Sequence, residues 1–206
     1  MNIFDHTQRY FAGICRKSNK STNTDDSISS LINIPLSQSQ CIKLGTHIEK
    51  LLRDFISSHN HVENIRPQNK KGQSERDHLF YVNDKKIYAE LKCNLNLDTE
   101  KRNKTCEKVR KISEEEGCVG YLLALRYIND DDVPDRIIKQ YEGVTVISVS
   151  DYFRLFDIKC PFGGSELNYK IWINQVAREL VYLDEDLDTR IEFLENAVSE
   201  LKRLKV

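Results

Sequence analysis

Apolar residues along this chain recur in two rhythms, one helical and one alternating. From Ser39 to Ser57, the positions Ile42, Ile48, Leu51, Leu52, Phe55 and Ile56 return at helical spacing and predict an amphipathic helix. Glu49 falls on the same stripe as Gly45, Leu52 and Ile56, so one acid is expected beside a buried face. Two strands are expected at about 76–82 and 86–93, joined at Asn83-Asp84, a pair suited to a two-residue turn with positive φ. Asp98-Thr99 then caps a helix that runs to about Glu116 and stops at Gly117. GCVGYLLALRY and VTVISV read as buried strands, separated by DDDVPDRIIKQY, a helix begun by acidic residues and Pro134. DYFRLF predicts a short helix, and two longer helical patterns follow at about 166–183 and 186–204.

The order helix, strands, helix, strand, helix, strand predicts an α/β fold with a mixed central β-sheet flanked by helices and followed by C-terminal helices. A length of 206 residues, 39% of them hydrophobic, suffices for one core, so residues 1–206 are read as a single domain. Residues 1–38 hold a short N-terminal helix and a polar link, SNKSTNTDDSISS; residues 39–156 form the core, and residues 157–206 a helical extension. PQNKKGQSE is expected to be a loop. In the last helix Leu187, Ile191, Leu194, Val198 and Leu201 form a 4, 3, 4, 3 apolar seam, suited either to a dimer contact or to packing on its own domain.

Composition narrows the class. No apolar run approaches the ~18 residues that span a bilayer, and MNIFDHTQRYF lacks the basic end and apolar stretch of a signal peptide. A soluble, intracellular protein is expected. The six cysteines form no CxxC pair, which argues against a zinc ribbon or a secreted disulfide framework. The net charge of -1 conceals an uneven distribution: residues 66–111 carry 13 Lys and Arg against 7 Asp and Glu, whereas residues 112–206 carry 11 against 19. A basic surface of this kind suits a polyanion, although a solvated, charged helix accounts for the same count.

The hairpin register raises a question of chemistry. Turning at Asn83-Asp84 pairs Val82 with Lys85, Tyr81 with Lys86, Phe80 with Ile87 and, further on, Asp77 with Glu90. Directly opposed side chains sit roughly 5 Å apart, and like charges there cost stability. Side chains alternate along a strand, so Asp77, Leu79 and Tyr81 share a face with Lys86, Tyr88, Glu90 and Lys92. Two acids held this close share a proton or bind a cation, and hard divalent ions such as Mg²⁺ prefer oxygen ligands. With Lys92 alongside, the set suits metal-assisted hydrolysis of a phosphodiester.

Asp77, twelve intervening residues, then Glu90-Leu91-Lys92 resembles the catalytic signature of the PD-(D/E)xK nuclease superfamily. The continuation from Lys92 to Lys101, KCNLNLDTEK, resembles more narrowly a group of type II restriction endonucleases. The resemblance implies a restriction-endonuclease-like core and Mg²⁺-dependent, sequence-specific cleavage of double-stranded DNA. It further implies a homodimer in a prokaryotic cytoplasm, and a cognate DNA methyltransferase acting on the same site without stable binding. By position it makes Asp77 and Glu90 metal ligands, adds the Leu91 carbonyl as a further ligand, and gives Lys92 the attacking water. Glu49 matches the acid that many relatives supply from the preceding helix. Arg76 stands where the signature has proline, a departure at a loosely kept position. A DNA repair or junction-resolving nuclease of the same fold, and a non-catalytic DNA-binding module, are the alternatives.

Other polar residues carry weaker signals. Asn94 and Asn96 follow the second hairpin strand, with Thr99, Lys101 and Arg102 close behind. Asn amides read adenine edges and basic side chains read guanine or grip phosphate, but Asn94 and Asn96 equally suit a strand end and Thr99 a helix cap. His59-Asn60-His61 is expected to be a helix-ending loop, His78 a packing or solvent residue, and KCPFGGSE an ordinary loop.

Overall fold

A computed structural model of the chain describes residues 2–12, 31–32, 36–65, 76–93 and 95–184. The segment from Ser18 to Ser30, the expected loop at PQNKKGQSE, Asn94 and the apolar seam of 186–204 lie outside the described residues.

The element order is α1 (Ile3–Ala12), α2 (Gln38–Ser57), β1 (Val62–Asn64), β2 (His78–Val82), β3 (Lys85–Lys92), α3 (Thr99–Glu116), β4 (Val119–Ala124), α4 (Asp135–Gln140), β5 (Thr145–Ile147), α5 (Val149–Arg154) and α6 (Glu166–Asp184). The strands form one open sheet in the order β1-β2-β3-β4-β5. The first three are antiparallel, whereas β3, β4 and β5 run parallel with α3 and α4 as the crossovers. The protein is therefore α/β, with a mixed five-stranded sheet flanked by helices.

Local signals account for most boundaries. Ser37 begins α2 with a reciprocal capping box: its Oγ accepts from the Gln40 N–H at 3.2 Å, and its own N–H donates to Gln40 Oε1 at 2.8 Å. Asp98 caps α3 by accepting from the Lys101 N–H at 2.9 Å. Gly117 closes that helix at φ 59°, where a side chain would be strained. Asn83 and Asp84 both have positive φ, 46° and 60°, and the β2–β3 pairs run from Val82↔Lys85 to His78↔Ala89, in the register read from the turn.

Three elements depart from the sequence reading. The strand β1 was not foreseen: three residues are too few to show a period, and only pairing with β2 defines them. Asp130–Asp132 form a separate 3-10 turn, and α4 begins only after Pro134, whose fixed φ suits a helix entrance. The helix expected at DYFRLF begins earlier, because Ser148 Oγ accepts from the Asp151 N–H and starts α5 at Val149.

The two sheet faces pack differently. Phe80, Val82, Ile87, Ala89, Leu91, Leu123 and Ile147 join the large core built with α1, α2, α5 and α6. On the other face, Leu79 and Tyr88 meet Val109 and Ile112 of α3, while Leu122 and Ala124 meet Cys106, Ile137 and Tyr141. Alternation along β3 therefore sends Tyr88, Glu90 and Lys92 toward α3.

Candidate active site

The site forms where the β2–β3 ladder runs out. The last ladder pair is His78↔Ala89, so the next β3 amide on the β2 side, that of Leu91, needs another acceptor. Asp77 supplies it, its Oδ2 accepting from the Leu91 N–H at 3.1 Å. Lys92 faces the other neighbour, its carbonyl accepting from the Leu125 N–H at 3.0 Å. A residue's N–H and C=O point to the same side of an extended strand, so the Leu91 carbonyl lies on the Asp77 side.

Asp77 and Glu90 are brought together as the register requires, and both are buried, with 9% and 2% of their surface exposed. One ammonium bridges them: Lys108 Nζ of α3 lies 3.2 Å from Asp77 Oδ1 and 2.5 Å from Glu90 Oε2. Glu90 is further satisfied by Lys92 Nζ at 2.7 Å on Oε1 and by the Tyr88 hydroxyl, which donates to Oε2 at 2.7 Å. The two carboxyls differ electrostatically. Burial and the neighbouring Glu90 charge push Asp77 up to about 7, against the pull of Lys108 and the Leu91 N–H. Burial also pushes Glu90 upward, but Lys92 and Lys108 together hold it below the usual carboxylate range. Glu90 is thus the charged member, and Asp77 is the acid that more readily keeps a proton, because burial and the Glu90 charge outweigh Lys108 and the Leu91 N–H.

Behind the pair, α2 is tied to the start of β2. Arg53 donates from Nε to the Asp77 carbonyl at 3.0 Å and bridges it to the Glu49 carboxylate, one helical turn away. Glu49 is therefore engaged by Arg53, and its charge is the least of the influences that raise Asp77. His78 points to the opposite face from Asp77 and is fully buried. Its Nε2 lies 2.8 Å from the Glu49 carbonyl, which only accepts; Nε2 accordingly carries the proton, and Nδ1 accepts from the Tyr152 hydroxyl. Burial, reinforced by the Arg53 charge, lowers His78 to about 3. It is a neutral packing residue. Arg76, at the place of the signature's proline, pairs with Glu116 at 2.8 Å and Glu115 at 3.4 Å, and so ties the start of β2 to the end of α3.

The proposed DNA contacts are more scattered. Asn96, Thr99 and Lys101 are exposed at the entrance to α3, Arg102 is half-buried, and Asn94 lies outside the described residues. Lys101 pairs with Asp98 at 3.3 Å, and Lys104 with Glu100 at 2.6 Å. His59 Nδ1 contacts the Phe55 carbonyl at 3.1 Å and His61 Nε2 the Phe156 carbonyl at 2.7 Å, so the HNH tripeptide is a helix-ending turn.

Two carboxylates and a backbone carbonyl are hard oxygen donors that fit Mg²⁺, an ion that usually retains several waters. Among the described residues no three His, Cys, Asp or Glu side chains gather into a ready-made cage. The donor set is an open one. Sequence reasoning missed Lys108, although Thr105, Lys108, Val109 and Ile112 follow the i, i+3, i+4, i+7 rhythm of a buried face. Arg53, one turn from Glu49, and Tyr88, on the Glu90 face, were legible in the same way.

No protein-family model, curated protein or solved structure matches this chain. Among the described residues, no helix is long and apolar enough to cross a membrane.

Proposed function

We propose that the chain is a Mg²⁺-dependent endonuclease of the PD-(D/E)xK class, with the restriction-endonuclease core and double-stranded DNA as substrate. The observation that carries this reading is the convergence of Asp77, Glu90 and Lys92 at the open end of the β2–β3 hairpin, with the two buried acids sharing the Lys108 ammonium and Lys92 on Glu90 alone. Structural carboxylates are seldom buried in pairs, because like charges in a poorly solvated site cost stability. A divalent ion gives the pair a purpose.

In this reading Asp77, Glu90 and the Leu91 carbonyl hold the ion. When bound, it polarises a phosphoryl oxygen and makes a coordinated water a better nucleophile. Lys92, one-third exposed and already in contact with Glu90, orients the attacking water and steadies the developing charge. Glu49 has a supporting place, tied through Arg53 to the backbone of Asp77. Among the described residues the exposed Lys101 and Lys104 are held by surface ion pairs, which are weak and readily re-paired with backbone phosphates. Asn96, Thr99 and Arg102 lie at the same end of α3, with Asn94 next to it in sequence, where base edges would be read. Cutting both strands of a duplex calls for two such sites, hence a homodimer, and a methyltransferase modifying the same sequence would protect host DNA.

The test is incubation of the purified protein with long unmethylated duplex DNA in Mg²⁺ and in EDTA. Discrete Mg²⁺-dependent fragments are expected. A smear would favour a nonspecific or repair nuclease, and cleavage confined to branched DNA a junction-resolving one. DNA left intact on every substrate would refute the nuclease reading, and binding without cutting would indicate a binding module.

A further inference from the structure

Lys108 lies on the sheet-facing stripe of α3, between the buried Thr105 and Val109, yet its side chain keeps a quarter of its surface exposed. Its ammonium reaches one oxygen of each acid, Asp77 Oδ1 and Glu90 Oε2, the two groups assigned above to the metal. Lys92 serves a different oxygen, Glu90 Oε1, and among the described residues it forms no ion pair with Asp77. The bridging cation of the acid pair is therefore Lys108, delivered on a flexible stem from a neighbouring helix.

We propose that Lys108 is a built-in, displaceable counter-ion, whose ammonium bridges Asp77 and Glu90 until a divalent cation takes those oxygens. This rests on the metal-site reading and adds its regulation. An ammonium and a divalent ion cannot both lie against the same two oxygens, because their charges repel over a few ångströms in a weakly solvated site. The lysine must swing outward, still protonated, and its four-carbon stem and partial exposure permit this without movement of α3. The contact then has two consequences. A monovalent ion cannot profitably replace a tethered ammonium of equal charge, so the site favours divalent ions. The concentration of divalent ion needed for loading is set by the competition with Lys108.

The experiment is calorimetric titration of Mn²⁺ into wild-type protein, Lys108→Met and Lys108→Arg, without DNA. Methionine keeps the stem and removes the competitor, so affinity should rise at least tenfold. Arginine supplies a planar fork that grips carboxylates in two places, so affinity should fall below wild type. The order Met, wild type, Arg supports the proposal. Equal affinities in all three would overturn it while leaving the metal site intact, and weaker binding by Lys108→Met would overturn it as well. No binding by any of the three would overturn the metal-site reading itself. Should Lys108→Met fail to fold, the wild-type and Lys108→Arg comparison decides alone, since arginine preserves the charge that neutralises the acid pair.

Discussion

Asp77→Asn should make the metal-free protein more stable, and increasingly so as pH rises. In the folded protein, burial and Glu90 push the Asp77 carboxyl from its ordinary value of 3.8 up to about 7. Between those values the folded state binds more protons than the unfolded state, so stability falls as pH rises. The contribution is fully present below the unfolded pKa and lost as pH climbs through the folded one. At about 1.4 kcal/mol for each pH unit, the penalty is ~2 kcal/mol at about pH 5 and ~4 kcal/mol at about pH 8.5. Asparagine keeps an oxygen for the Leu91 N–H but cannot ionise, so the variant should escape most of this penalty. At roughly 2–4 °C per kcal/mol for a chain of this size, its melting temperature in EDTA should exceed wild type by about 5–15 °C at the higher pH. The advantage should shrink by about half near pH 5. Thermal unfolding in EDTA across that range reads the effect directly, and repeating it in millimolar Mn²⁺ should raise wild type but not the variant. A variant less stable than wild type at every pH, or a gap that does not change with pH, would refute the claim that this acid pair stores repulsion for a cation to relieve.

Three further expectations follow from single contacts. Lys92→Met should leave Mn²⁺ binding within a few-fold of wild type but cut DNA cleavage by about 10²-fold or more, the usual scale for a lost proton-transfer or water-positioning group; cleavage within tenfold of wild type would remove Lys92 from the chemistry. Tyr152→Phe strips the donor from the buried His78 Nδ1 and should cost ~1–3 kcal/mol in urea unfolding, whereas an unchanged midpoint would mean that this hydrogen bond carries no net stability. Gly120→Ala on β4 would put a Cβ 2.0 Å from Ser113 Oγ and 2.9 Å from Val109 Cγ1, so ~1–3 kcal/mol should be lost. Adding Ser113→Ala should recover part of that loss, and no recovery would place the strain elsewhere.

The local elements were legible because their causes are local. Asn83-Asp84 adopts positive φ with little help from the rest of the chain, and once the turn is placed, pleat alternation puts Asp77, Glu90 and Lys92 on one face. Asp98 and Gly117 mark helix ends through hydrogen bonds that span only a few residues. The three-residue β1 has no such signature; it is a strand because β2 lies beside it.

The candidate site divides along the same line. That an acid faces an acid beside a lysine follows from the chain itself, through a two-residue turn and a period of two. Which cation answers those acids does not, because Lys108 stands 31 residues from Asp77 and reaches it only when α3 packs across the sheet. The same holds for Arg53, which ties Glu49 to the Asp77 backbone, and for Tyr152, which meets His78 across 74 residues. Short-range geometry determines which groups one strand pair presents. The charge state and partners of those groups depend on burial and on helices arriving from elsewhere, and only the folded tertiary structure decides them.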